Sequence, residues 1–411
     1  MNNLEVVMFN MSNYAEWQKG VANRNYHIFK KLLEQPEVRR IVAIDFLPFT
    51  FKRALRNYWQ GIITLKGKTI YRDLTSRCVK IKKQEKEVYI VSIVNSVLSP
   101  QKLNNKLNKI LEKISQTNNQ NEPAFRRIIW SFFPMFVEYL SENGIKSDLT
   151  IFDAVDNWIE HPSFIKHKEL LRKNYQNITQ KSDLIFTVAE NLLDFFKELG
   201  REKDIFWIAN GVDVAHFKNK NAIKPKEFNK IKRPIVGYMG IIQQRLDVDL
   251  MEYLARKNLD KSFVLIGPFW PVYFRKFRRS SVEIKRLKKH KNISLLGRKP
   301  YKFSSNYINN FDLAISPHKI DNFSKYTNSL KVLEYLACGK PVISTPLSGV
   351  ERFSHLIYIA SDYEDFNKKL NQALENNNIE LEQKRVNQAE KEDWGKKIKG
   401  IMEIIKVRLS Q

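Results

Sequence analysis

The stretch KYTNSLKVLEYLACGKPVIST, residues 325–345, decides the fold. Thr327, Asn328 or Ser329 can cap a helix here, Gly339 can end it, and Pro341 forbids its continuation. Leu330, Leu333, Leu336 and Ala337 give that helix an apolar stripe, and the apolar run PVIST follows at once. A short helix feeding a strand that is apolar on both faces is the signature of a buried parallel sheet.

The same alternation extends to both ends of the chain. Short apolar runs occur at 5–11, 41–46, 88–94, 128–133, 149–155, 184–190 and 204–210, then at 234–240, 263–268, 293–297, 313–317, 341–345 and 356–360. Polar stretches of helical period separate them, so the class is α/β. The segment 216–234 is polar and basic, carries Pro225 and Pro234, and lacks an apolar period, which predicts a boundary. Expected are one Rossmann-like domain over 1–220, a second over 230–390, and a C-terminal helix over 391–411. In that helix Trp394, Ile398, Ile401 and Ile405 recur at helical spacing, so it should pack back on the body. The Asn-rich patches at 104–121 and 376–378 read as loops. Open parallel sheets bind ligands beyond the carboxyl ends of their strands, and a central cleft faced by two such sheets is the default site.

Composition narrows the partners. Hydrophobic residues at 43% exclude a disordered polymer. Two cysteines give neither a disulfide framework nor a thiolate metal cage, and read as reduced thiols. No run of ~18 apolar residues is present to span a membrane. Lys and Arg number 70 against 44 Asp and Glu, a net charge of +26 that calls for an anionic partner: nucleic acid, a membrane surface or an acidic substrate. Only 14 glycines occur, about half of average usage, so Gly-rich phosphate loops are excluded.

Within 325–345, Glu334 lies one turn from Leu330 and Cys338, at the margin of a buried face. A carboxylate there is costly unless paired, so it is either a salt-bridge member or an acceptor for two ribose hydroxyls. Lys331, near the helix start, can meet a diphosphate beside free backbone N–H groups, or can be an ordinary surface lysine.

The stretch resembles the donor-site motif of B-type (GT-B fold) glycosyltransferases, particularly family 4 and the related glucuronosyltransferase-like enzymes of bacterial polysaccharide assembly. The resemblance rests on the order Asn328, Lys331, Glu334, Ala337, Gly339, Pro341, Val342. It implies that Glu334 holds the nucleotide ribose, with Ser329 at the same helix start. The family often has a second Glu eight residues earlier, where this chain has Tyr326. VGYMGIIQQRLDVDLMEYLA (236–255) is similar to the first strand, turn and helix of the donor domain. There Gly240 permits close approach, Asp247 can cap the helix, and Arg245 is implied as the diphosphate cation. FVLIGP, NISLLGRKPY and FDLAISPHK follow at family-like intervals, the last placing His318 at a strand end, where it reads either as donor-binding or as a structural hydrogen-bonder. NGVD (210–213) also recurs in the family and reads as an architectural turn.

On the acceptor side, IFDAVDNWIEH (151–161) ends a strand with Asp153 and Asp156. A strand-end carboxylate can take the proton of an acceptor hydroxyl, and Asp156 is the first choice, with Asp153 or His161 behind it. Capping by Asp156 or Asn157 is the competing reading. The loop and helix at 12–29 resemble the family's acceptor-side element, with Gly20 and Arg24 as contacts.

Two segments, 48–68 and 268–291, mix aromatics with cations, which suits an anionic membrane surface. Single-stranded nucleic acid would use the same pattern, but no zinc finger, RRM or helix-turn-helix signature accompanies it, and the reading is against it. The sequence therefore predicts transfer of a sugar from a nucleotide-diphosphate sugar, as co-substrate, to a hydroxyl of a glycan or lipid-linked glycan. It predicts no metal and no cofactor, and a cytoplasmic protein peripheral to the inner face of the plasma membrane. The alternatives are a nucleotide-sugar 2-epimerase on the same fold and a basic nucleic-acid-binding protein.

Overall fold

The structure, a computed structural model, describes residues 3–48, 50–83, 85–117, 124–218, 222–269 and 277–411, with side chains outside 277–282. Two compact units result, one of Met1–Ile208 with Ile398–Gln411 and one of Ala209–Lys397.

The first unit is built on a nine-stranded sheet. Its order is Lys68–Arg72, Ser76–Lys83, Lys86–Ile93, Val38–Ile44, Leu4–Phe9, Arg126–Ser131, Leu149–Ala154, Leu184–Thr187 and Ile205–Trp207. Every pairing is parallel except the two made by Ser76–Lys83. The apolar runs read from the sequence are the parallel strands. The hairpin Lys68–Arg72/Ser76–Lys83 has no apolar run: its residues alternate with Lys and Arg because it forms a half-exposed edge. The Asn-rich patch at 104–121, expected as a loop, is largely helix Pro100–Ser115. Ser99 caps it, and Leu103, Leu107, Ile110, Leu111 and Ile114 bury one face, so apolar spacing outweighs the low helix propensity of Asn.

The second unit holds a six-stranded, fully parallel sheet. Its order is Ile293–Gly297, Ser262–Ile266, Ile235–Met239, Leu313–Ser316, Val342–Ser344 and Tyr358–Ile359. Successive residues feed two cores: Val264 and Ile266 pack on one face, Phe263 and Leu265 on the other. That is why these strands read as unbroken apolar runs. The chain order reverses between Ile235–Met239 and Leu313–Ser316, a topological switch point that leaves a crevice beyond their carboxyl ends.

The change of unit comes at Ile208/Ala209, earlier than the boundary expected at 216–234. Phe217 and Phe228, inside that segment, are fully buried in a core of the second unit. Two aromatics separated by polar residues show no period, so the segment looks like a linker. At the other end, helix Trp394–Ser410 begins in the second unit and continues through Ile398–Ser410 in the first. Its stripe Trp394, Ile398, Ile401 and Ile405 is buried as expected. Both cysteines, Cys78 and Cys338, are free. Among the described residues no helix is long and apolar enough to cross a membrane.

Candidate active site

The second unit's switch point gathers the residues of the donor motif. Helix Leu330–Ala337 is eight residues long and ends where Gly339 takes a left-handed turn, φ +70°. Gly339 N–H and Lys340 N–H then donate to Leu336 O and Tyr335 O. Met239 N–H donates to Tyr335 Oη at 2.9 Å, which ties the helix to the end of the central strand.

Gly240 follows that strand, and a Cβ there would lie 2.0 Å from Lys331 Cε. A Cβ on the neighbouring Gly267 would lie 1.8 Å from Gly240 O. The two glycines let adjacent strand ends close up, and Gly240 lets the Lys331 stem cross the strand end. The loop continues to Arg245, whose carbonyl accepts from Lys319 N–H at 2.8 Å and whose guanidinium lies 4.2 Å over the Phe323 ring. Leu246 bridges to His318, and Asp247 caps helix Val248–Lys257 through Leu250 N–H at 3.1 Å. His318 is fixed by Ser316 Oγ at 3.0 Å from Nδ1. Thus Arg245, His318 and Lys331, from three separate segments, share one crevice mouth.

Lys331 and Glu334 are not paired there. Among the described residues no carboxylate lies at ion-pair distance from the Lys331 ammonium, and no donor reaches the Glu334 carboxylate. Each is half-buried. Burial pushes Lys331 down to about 8, Arg245 adds to this, and Glu334 opposes it. Burial pushes Glu334 up to about 7 against Lys331. His318 falls well below its ordinary value through burial, then Lys331 and Arg245. A crevice that suppresses its own cations is arranged for an anion. Ser329 stands at the N-cap position of the helix but caps nothing, and its buried Oγ has no partner among the described residues. That hydroxyl and the first helical N–H groups remain as donors.

Asn328 adds a link that spacing does not reveal. Asn210 N–H donates to its Oδ1 at 3.2 Å, and Asn210 Nδ2 donates to its carbonyl at 2.9 Å. The turn of NGVD thus holds the start of the donor-type helix. Gly211 is required there, since a Cβ would meet Glu392 O at 2.8 Å. No cluster of three or more metal-ligating side chains occurs among the described residues.

Residues 233–376 match the family model described as glycosyl transferases group 1. The chain is 25% identical, over 312 residues, to the putative teichuronic acid biosynthesis glycosyltransferase TuaH of Bacillus subtilis, covering 72% of this chain and 75% of that one. Among solved structures it is similar to sucrose-phosphate synthase from Thermosynechococcus elongatus, with a TM-score of 0.69 at 11% identity over 99% of both chains. It is also similar to Anabaena HepE in complex with UDP-glucose, with a TM-score of 0.64 at 14% identity over 98% of this chain and 100% of that one. The chain has the GT-B fold, and its residues 233–376 carry a group 1 glycosyl transferase domain.

In the first unit of the glycosyltransferase, the expected acceptor residues divide. Arg24 Nε donates to Asp153 Oδ1 at 2.8 Å, both side chains being almost fully buried. Trp130 Nε1 also points at Asp153, from 3.3 Å. Asp153 and Arg24, expected as a candidate base and a ligand contact, therefore engage each other inside the fold. The sequence offered no sign of this, since 129 residues separate them. Gly20 closes helix Tyr14–Gln18 with φ +89°, and its N–H donates to Trp17 O at 2.9 Å. His161 Nδ1 accepts from Ser163 N–H at 3.1 Å, and its ring stacks on Trp158 at 5.2 Å, so it serves its own turn. The local side-chain cap falls to Asn157, whose Oδ1 accepts from Ile159 N–H. Asp156 is half-buried just past the strand end, and its carbonyl accepts from Tyr175 Oη at 3.0 Å.

Asp45 was missed, although it ends an apolar strand just as Asp153 does. It accepts from Tyr14 N–H at 2.8 Å and Ser92 Oγ at 2.6 Å, anchoring the loop after the first strand. Burial raises it to about 6, with Ser92 and Tyr14 opposing.

Proposed function

We propose that this glycosyltransferase moves a sugar from a nucleotide-diphosphate sugar to a hydroxyl of a glycan or lipid-linked glycan, in cell-surface polysaccharide assembly. The observation that carries the reading is the convergence of Lys331, Arg245 and His318 at the start of one helix, with Glu334 one turn further on. A diphosphate supplies the counter-charge that Lys331 lacks, with the Arg245 guanidinium and the neutral His318 ring beside it, and Ser329 Oγ and the helix N–H groups donate to its oxygens. Glu334 accepts the two ribose hydroxyls. The likeness to a teichuronic acid glycosyltransferase and to a fold crystallised with UDP-glucose supports the donor and acceptor classes.

In the reaction, the bond from the sugar C1 to the β-phosphate oxygen breaks, and its electron pair leaves with the nucleotide diphosphate. The acceptor oxygen bonds to C1, and its proton passes to the Asp156 carboxylate. Lys331 and Arg245 stabilise the charge that grows on the leaving phosphate. A lipid-linked acceptor puts the enzyme on the cytoplasmic face of an anionic membrane. A thermal-shift series with UDP, GDP, ADP and their sugars tests the donor class, with one base expected to raise Tm strongly. Glu334→Ala should abolish that shift; an unchanged shift defeats the assignment. Asp156→Asn should lower kcat and leave donor affinity as it was.

A further inference from the structure

Helix Phe51–Thr64 is buried on one side only. Ala54, Asn57, Tyr58 and Gly61 face the first unit. Gly61 lies so close to the sheet that a Cβ would touch Ser92 Oγ at 3.0 Å, and Tyr58 Oη donates to Asp73 O at 3.3 Å. The opposite side carries Lys52, Arg56, Trp59, Ile63 and, just beyond the helix, Lys66, all exposed at spacings of three and four. Trp59 is 55% exposed, Ile63 77%, and Leu74, in the turn that Tyr58 contacts, 97%.

Charge on this element has one sign. Between Asp45 and Asp73 the chain has six Lys or Arg and no acidic residue. Aliphatic exposure decides among polyanions. A polynucleotide can stack on Trp59 but offers nothing apolar to Ile63 or Leu74, whereas the headgroup–acyl boundary of a bilayer accepts ring, aliphatic and cation together. The other cation–aromatic segment, 268–291, has 270–276 and the side chains of 277–282 outside the described residues. Within it Arg286 is held by Asp249 and Glu252, which lowers its net attraction for lipid.

We propose that the exposed face of helix Phe51–Thr64 is the docking element for an anionic lipid bilayer, with Trp59 and Ile63 immersed and Lys52, Arg56 and Lys66 on the headgroups. This rests on the lipid-linked acceptor reading and gives it a place. Helix Tyr14–Gln18, in the loop resembling the acceptor-side element, packs on this same helix. An acceptor anchored in the bilayer would thus emerge beside the loop that receives it.

The test uses the full chain with phosphatidylglycerol–phosphatidylcholine vesicles and with phosphatidylcholine alone. Wild type should sediment with the anionic vesicles, and Trp59→Ser/Ile63→Ser should lose about tenfold or more in partitioning. Arg56→Gln/Lys66→Gln should lose several-fold and most of the preference for anionic lipid. These positions face solvent, so the variants should melt as wild type does and keep the nucleotide-induced Tm shift. Quenching of tryptophan fluorescence by brominated lipid should fall in Trp59→Phe. Unchanged partitioning in the double variants, unchanged quenching in Trp59→Phe, or release of the protein from vesicles by RNA at equal charge overturns the proposal. Loss of the nucleotide shift in wild type would instead sink the donor reading, since that measurement contains no lipid.

Discussion

Glu5 and Arg40, near the amino ends of the first unit's strands, are buried against each other at 3.2 Å, with Arg127 also on Glu5, and Glu87 held by Arg40 and Lys80. Arg40 also lies 4.1 Å over the Phe125 ring. In the second unit Lys331, Arg245 and His318 crowd a crevice in which Glu334 is too distant to form an ion pair. In the first, each carboxylate has cations at ion-pair distance; in the second, Lys331 and Glu334 pair with nothing among the described residues. A matched cluster holds strands in register; an unmatched one stores an attraction that a ligand can release. The contrast separates residues that hold the fold from those proposed to bind the donor.

The sharpest way to break the contrast is to delete one charge from each cluster. Lys331→Met or Glu334→Ala should weaken donor affinity about 100-fold, through loss of charge-assisted contacts, and leave the fold intact; calorimetric titration with the nucleotide found by thermal shift measures it. Arg40→Met should cost about 1–3 kcal/mol of stability, because Glu5 keeps only Arg127 and Glu87 only Lys80, with donor affinity unchanged, as denaturant unfolding will report. If Arg40→Met alters affinity and Lys331→Met does not, the two clusters have been assigned the wrong way round.

A finer test uses pH. Glu334 rises from its ordinary 4.5 to about 7, so the folded state holds that proton more tightly than the unfolded one. Its charge therefore costs stability increasingly as pH climbs from about 4.5 through 7. Lys331 falls from 10.5 to about 8, so its cost is present below about 8 and fades toward 10.5. The free enzyme should be least favoured by these two groups between pH 7 and 8. Glu334→Gln should raise Tm at pH 8 by roughly 2–4 °C, and by nothing at pH 4, although it impairs binding. Donor affinity should be greatest between pH 7 and 8 as well, weakening below as Glu334 protonates and above as Lys331 loses its proton. The smallest expected effect is that of Gly240→Ala. Its Cβ must push Lys331 aside, which should raise the donor KM several-fold with little change in Tm.

Much of the crevice proposed for the donor was legible because it lies in consecutive sequence. Ser329, Lys331, Glu334 and Gly339 belong to one helix whose start, stripe and stop are written locally. The acceptor side was less legible. Asp153 and Asp45 give the same signal, a carboxylate closing an apolar strand, but one is bound to Arg24 and the other to a backbone N–H and a serine. Only partners distant in sequence distinguish them. The edge hairpin escaped because strands half-exposed at a sheet edge carry lysine where buried strands carry valine. The segment 216–234 misled for a related reason: two buried aromatics in a polar stretch leave no period.

By itself the sequence determined the buried parallel strands, the short helix and the residue types at its start, because hydrophobic period and capping act over a few residues. Tertiary structure decided which charges are matched. The Asn210–Asn328 link, the Arg24–Asp153 pair and the passage of Lys331 over Gly240 each join residues about ninety to 130 apart, and a buried charge is stabilised or left waiting by what folding brings within a few ångströms of it.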